Sequence, residues 1–290
     1  AATERRVVVV DIDEKSTQAL GAWPWPRERM ASLLNGLNAY GVNLKVVDVL
    51  FDGEQDKTQD AALAQALQAG APTVISQLFA LSPDSQIQSG QLSGHVPGLV
   101  GASGLSGNSA SSIQIAASQC PDATTSAYGY MAPAAAFVQQ GQAVGHISPI
   151  VDADGGIRRV PALVCFDGKA YPALAVAALS EATGAAPTLQ TQSGLFKSGF
   201  ALDVGGFELP IDAQGQLRVS YQMPRSGFVS VSAVDVIQGK VPASLLKGAW
   251  VLVGSTAFGG GDAVPTPQGG AVGGVEVHAQ IMSAALDGIR

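Results

Sequence analysis

The chain has 290 residues, of which 47% are hydrophobic and only 13% charged, about half the ~25% of an ordinary soluble domain. Its net charge is −7, and the basic residues form nothing larger than pairs such as Arg5-Arg6 and Arg158-Arg159. A nucleic-acid backbone requires a basic stripe, so nucleic acid is excluded as a partner.

The opening residues, Ala1 to Arg6, lack the apolar core of a signal peptide, and no window of ~18 apolar residues could span a bilayer. Val7 to Ile12 follows at once, a β-branched run that predicts a buried strand. So abrupt a start leads us to expect any export segment outside this stretch. Pro26 suits a first helical position; Met30, Leu33, Leu34 and Leu37 then recur at helical spacing until Gly41. Leu44 to Phe51 predicts a second buried strand. Thr58 is the candidate cap of an Ala-rich helix ending at Gly70, and Thr73 to Phe79 predicts a third strand. Two consecutive βαβ units imply a parallel sheet.

The middle of the chain differs. Between Asp84 and Asp152 the only charged residue is Asp122, and Gly94 to Ser118 is rich in Gly and Ser. Ile113, Ile115 and Ala117 alternate like a strand, so this region predicts an edge excursion rather than a linker. Strands are expected at Ala143 to Ile147 and Ile157 to Val164, joined by the turn Asp152-Ala153-Asp154-Gly155-Gly156. A helix runs from Tyr171-Pro172 to Thr183; short strands follow near Phe200, Phe207 and Leu217, then Ala249 to Val253 and a last helix over Val275 to Leu286. The late strand should join the early sheet. These signals predict an α/β fold: a single large domain over 1–290 with a mainly parallel central sheet flanked by helices, a Gly/Ser-rich excursion at 85–120 and antiparallel hairpins.

Chemical motifs are few. GxSxG, the Walker loop, GxGxxG and HExxH are all missing, and no cofactor is expected. The Asp152 turn starts like a calcium loop but lacks its third ligand and its closing glutamate, so it predicts a hairpin turn and no metal. Cys120 and Cys165 are either separate thiols or a disulfide, which an oxidising compartment would allow. A bridge over such a loop would stabilise the fold by about 4 kcal/mol on the chain-entropy account.

The acids at the predicted strand ends carry more information. Asp11 and Asp13 share one face as the first strand ends, and Asp48 and Asp52 close the second. Ligands of open α/β sheets bind outside the carboxyl ends of the strands, where these four carboxylates would converge. Arg27, beside Trp25, is the candidate counter-charge; the bland alternative is that the acids cap helices and fix loops. A second cluster comprises Ser255 and Thr256 in a strand-end loop, Asp262 beyond it, and His278 near the start of the last helix. Together, Asp11, Asp13, Trp25, Arg27, Asp48, Asp52, Ser255, Thr256, Asp262 and His278 form the candidate ligand-binding set.

These strings also stand in a familiar order. Val10-Asp11-Ile12-Asp13, Trp23-Pro24-Trp25-Pro26-Arg27 and Asp48-Val49-Leu50-Phe51 closely resemble the opening of the second CHASE family of extracellular sensory domains. The resemblance continues through Gly145-His146, Asp152 to Arg159, Tyr171-Pro172, Val253 to Ala257 and Gly274 to Ala279. It implies a non-catalytic sensor outside the cytoplasmic membrane of a bacterium, with membrane helices expected beyond Ala1 and Arg290. The output module would be an adenylate or diguanylate cyclase, a histidine kinase or a serine/threonine kinase. A small solute or ion as stimulus and a homodimer are the partners expected. Two other readings compete: a metal-assisted hydrolase drawing on Asp11, Asp48, Asp52 and His278, and a periplasmic solute-binding protein.

Overall fold

Alternation in the Val7–Val10 run decides the layering. In a strand, successive side chains point to opposite faces, so four buried valines require cover on both sides of the sheet. A computed structural model of the chain, which describes residues 3–97, 120–121, 123–153, 156–194, 197–223, 225–256 and 274–288, has that arrangement. Its central parallel strands are β1 (Glu4–Ile12), β2 (Leu44–Val47), β3 (Thr73–Ala80), β4 (Ala143–His146), β5 (Phe228–Ser232) and β6 (Trp250–Ser255). They lie in the order β5-β1-β6-β2-β3-β4. The late strand β6 is inserted between β1 and β2, with Val9 opposite Leu252 and Val46 opposite Leu252 from the other side.

The helices are α1 (Glu14–Leu20), α2 (Arg27–Tyr40), α3 (Lys57–Gln68), α4 (Ala135–Val138), α5 (Leu174–Thr183), α6 (Ala233–Ile237), α7 (Ala243–Leu246) and α8 (Gly274–Asp287). Val8, Val10, Val251 and Val253 pack against α2, α3 and α6 on one face. Val7, Val9, Val46 and Leu252 pack against α5 and α8 on the other. Burying each such side chain stabilises the fold by roughly 1.5–3 kcal/mol, which is why the sheet is covered twice.

Beyond α5 and α8 the second core reaches an antiparallel sheet of six strands, from Thr188–Gly194 across to Ile150–Val151. A smaller sheet pairs Leu163–Phe166 with Lys169–Pro172 and Thr125–Ser126, and the Cys120–Cys165 disulfide ties the chain to it. The chain is thus a mixed α/β domain, mainly parallel at its centre with antiparallel sheets beside it.

Several sequence expectations need correction. The second strand ends at Val47, not Phe51. Asp56 rather than Thr58 caps α3, accepting from the amides of Thr58 and Gln59. The capping carboxylate must precede the first turn, and Thr58 lies inside it. Pro26 stands just before α2 as its cap residue. The Asp152 turn joins Ile150–Val151 to Ile157–Pro161, because Ala143–His146 belongs to the parallel sheet. Asp152 there receives Arg158 and Arg159 at 2.8 and 2.9 Å. The edge strand β5 carried only partly buried valines and gave no clear signal. Ile113, Ile115, Ala117 and most of the Gly/Ser-rich stretch lie outside the described residues.

One glycine sets the approach of α5 to the sheet. A Cβ at Gly145 of β4 would stand 2.4 Å from Leu174 Cα and 2.8 Å from its backbone nitrogen. Backbone cannot rotate away as a side chain can. Gly145→Ala should therefore cost about 1–3 kcal/mol, read as a lower urea midpoint at unchanged slope; an unchanged midpoint would show that α5 can back away freely.

Candidate functional site

The parallel strands end along one edge, where sequence placed the acids. The acids, however, differ in their surroundings. Asp13 caps α1, accepting from the Ser16 amide (2.8 Å) and hydroxyl (2.7 Å), and also from the Ser232 hydroxyl of β5. Partial burial pushes its carboxyl up, but these hydrogen bonds outweigh it and hold the group below the usual carboxylate range. Asp11 accepts from the Thr256 amide at 3.1 Å and hydroxyl at 2.6 Å, fastening the end of β1 to the end of β6. Ser255 donates its hydroxyl to the Ile12 carbonyl at 3.0 Å across the same seam. Asp52 is exposed.

Arg27 serves the loop after β2 instead of a convergent acid cluster. It is buried, stacked 5.2 Å from the ring centroids of both Phe51 and Phe137, and donates to the carbonyls of Asp52 (2.7 Å) and Gly53 (3.2 Å). Its nearest carboxylate is Asp60 of α3 at 3.5 Å, a partner that sequence spacing did not suggest. Trp25 is buried beside it, donating its indole N–H to the Gly21 carbonyl at 2.8 Å with Arg29 over its ring. These residues build the α1–α2 connection. Asp262 lies outside the described residues.

Asp48 is different. It follows β2, and its amide still donates to the Val253 carbonyl at 2.8 Å, so its side chain is directed to the α8 face. The carboxyl is fully enclosed, and neither oxygen has a hydrogen-bond partner. The group facing it is His278 of α8, with Nε2 3.8 Å from Oδ2 and Nδ1 unpartnered. That separation is within ion-pair range but beyond a hydrogen bond.

A third member was missed: His146, at the end of β4, two strands from Asp48. It is fully buried and within electrostatic reach of His278. Its Nδ1 accepts from the Ser148 amide at 3.2 Å, which leaves Nε2 as the protonated nitrogen. Nε2 is directed toward the Pro161 carbonyl but short of hydrogen-bond geometry. The sequence signal was present in Gly145-His146, where a glycine admitting a helix stands beside a polar residue at a strand end.

Electrostatics follow from enclosure. Burial pushes Asp48 up to about 7 and His278 down to about 4, since each charged form loses its hydration. Burial, and then the neighbouring His278, lower His146 to about 3. The pair therefore holds one proton between about pH 4 and 7 and is neutral as a whole. Such a cluster can take up, hold or pass a proton. Among the described residues it offers no exposed nucleophile: Asp48 and His278 are each 3% exposed. Among the described residues no three His, Cys, Asp or Glu side chains are placed to hold a metal ion, and no helix is long and apolar enough to cross a membrane.

A doubly wound α/β domain with a sealed acid–histidine cluster is thus what fold and site define. The CHASE2 domain family model matches residues 1–290, and the chain belongs to that family, whose members are extracellular sensory domains of signalling receptors. Comparison with curated proteins and with solved structures gives no match.

The shared proton has a measurable consequence. Asp48, with a raised folded pKa, costs the fold progressively more as pH rises from about 4 to about 7; His278, with a lowered one, costs progressively less over about 4 to 6.5. In the native chain the two slopes oppose each other. Asp48→Asn removes only the first, so the variant should gain stability relative to native as pH rises across that window, by up to about 3 kcal/mol in urea titrations. A difference that stays flat with pH would mean that Asp48 is ionised in the fold throughout.

Proposed function

We propose that this chain is the stimulus-sensing, non-catalytic extracytoplasmic domain of a bacterial transmembrane receptor, with its output enzyme elsewhere in the same polypeptide. A cyclase or a histidine or serine/threonine kinase would suit that output. One observation carries the reading: the two ends of the described chain meet. Arg6 near the start of β1 reaches Asp287 at the end of α8 at 2.7 Å and Glu4 at 2.6 Å. Glu4 is itself buried and accepts from Ser283 of α8 at 2.7 Å. Burial raises the Glu4 carboxyl, but hydrogen bonds from Arg6 and Ser283 outweigh it and bring it down to about 2.

This clasp lies at the amino edge of the sheet, and the sealed cluster lies at the opposite, carboxyl edge. Chain ends that emerge side by side can both enter one membrane surface, leaving the far edge to face the surroundings. A small solute or ion arriving there would act by favouring one arrangement of the ends over another.

Sequencing of the gene on both sides of this stretch tests the reading. One open frame should continue in both directions into apolar segments of at least ~18 residues. Stop codons without such segments on either side would end it. At the protein level, Arg6→Ala leaves Glu4 with the Ser283 hydroxyl and the backbone amide of residue 6, which donates at 2.7 Å. Because Arg6 is half exposed, water compensates in part, and the loss should be only about 1–2 kcal/mol, largest above pH 4.5 and fading as Glu4 protonates below it.

A further inference from the structure

At the carboxyl edge, beside the sealed cluster, the end of β3 carries a group of aromatic rings. Phe79 stands 5.2 Å from the Tyr171 ring and 6.4 Å from Phe166, centroid to centroid. Tyr130 meets Phe166 edge-on at 5.2 Å, and His95 meets Tyr171 at 6.2 Å. In the hairpin of Leu163–Phe166 with Lys169–Pro172, Val164 pairs with Tyr171 and Phe166 with Lys169, so these side chains share one face. That face packs on Phe79, and Tyr130 is brought to it because Gly129–Met131 pairs with the end of β3, Tyr130 opposite Phe79. Phe79 and Tyr171 are buried, Tyr130 and Phe166 are partly exposed, and His95 is exposed. The rings form a floor with a solvent-facing rim.

Polar atoms gather at the same place. A buried tyrosine ordinarily finds a hydrogen bond for its hydroxyl. Tyr171 is 4% exposed, yet its hydroxyl has no hydrogen bond to a described residue. It lies instead within electrostatic reach of the Asp167 carboxylate and the Tyr130 phenol; burial first, then these two neighbours, push it above its ordinary range. Asp167 is placed there by the turn Asp167-Gly168, whose φ values of 47° and 70° suit a two-residue hairpin connection. Its carboxylate is exposed and has no ion pair with a described residue. Lys169 shares the hairpin face, but it is exposed and neither pairs with Asp167 nor stacks on a ring. A carboxylate and phenol oxygens beside the negative faces of aromatic rings select a cation, and the apolar walls select an organic one.

We infer that Tyr130, Phe166, Asp167 and Tyr171 form a binding site for a small organic ammonium ion. Its N–H groups donate to the Tyr171 hydroxyl and the Asp167 carboxylate, and its alkyl part lies on the rings. As the site of the stimulus it rests on the sensory role proposed above; as a binding site it stands without that role. Phe79 also packs edge-on against His146, centroids 5.9 Å apart, and so stands between this site and the sealed cluster.

Aromatic NMR of the complete 290-residue chain, titrated at matched ionic strength, tests the site. The probes are n-propylammonium and tetramethylammonium chloride, with sodium chloride and neutral tert-butanol as controls. Both ammonium ions should shift the Tyr130, Phe166 and Tyr171 ring signals saturably, and neither control should. Asp167→Asn should weaken both by about two- to fivefold, the range of an exposed charge contact. Tyr171→Phe keeps the ring and removes the hydroxyl. It should weaken propylammonium at least about threefold and leave tetramethylammonium, which has no N–H donor, unchanged. Equal shifts with tert-butanol would reveal an apolar surface and no cation site. Binding indifferent to Asp167→Asn would overturn the inference too, as would unshifted rings in the native chain, a result that needs no variant to fold. Gene flanks without apolar segments would remove the receptor role and leave these titrations unchanged, so the two failures are distinguishable.

Discussion

A carboxyl group taken out of water must keep its proton, find hydrogen bonds or meet a positive charge, because burial of an unpaired anion costs several kcal/mol. Asp48 has no hydrogen bond, and the described residue that faces it is His278, so the contact of α8 with the end of β2 depends on where one proton resides. The rest of the domain is arranged around that constraint. The two-sided valine core makes the sheet rigid, Gly145 lets α5 close over β4, and the buried His146 lies within electrostatic reach of His278. On the β6 side the strand ends are fastened by satisfied contacts, Asp11 to Thr256 and Asp13 to Ser16 and Ser232.

Much of the fold was legible because it rests on periodicity. The Val7–Val10 run, the heptad-like leucines of α2 with Gly41 after them, and the apolar run ahead of Ser255 all predict elements that the structure contains. Element ends were less legible. Val49 and Phe51 are buried, so the run through Phe51 looks like strand although the backbone leaves the sheet at Val47. Phe228–Ser232 went unread because an edge strand buries only one face and its pattern is diluted.

For the site, residue type and strand-end position were enough to single out Asp48 and His278 but not to separate them from Asp11, Asp13 and Asp52. The difference is tertiary. Asp13 is satisfied by its own helix and by β5, Asp11 by a loop more than two hundred residues away, and Asp52 by solvent. Only packing leaves Asp48 dry. The Arg27–Asp60 pair was illegible for the same reason, since two helices must dock before an arginine can choose among nearby acids. The clasp of Glu4, Arg6 and Asp287 joins residues 281 apart, beyond any sequence pattern. Membership of the CHASE2 family gives these contacts a setting: one edge of the domain holds a sealed, proton-bearing cluster, the other gathers both chain ends, and α8 runs between them.

The protonation of Asp48 in the folded chain can be observed directly. An infrared difference spectrum of native minus Asp48→Asn protein in mildly acidic buffer should contain the carbonyl stretch of a protonated, weakly hydrogen-bonded carboxylic acid, lost as the buffer is taken above neutrality. A difference showing only the bands of an ionised carboxylate in acidic buffer would contradict this account.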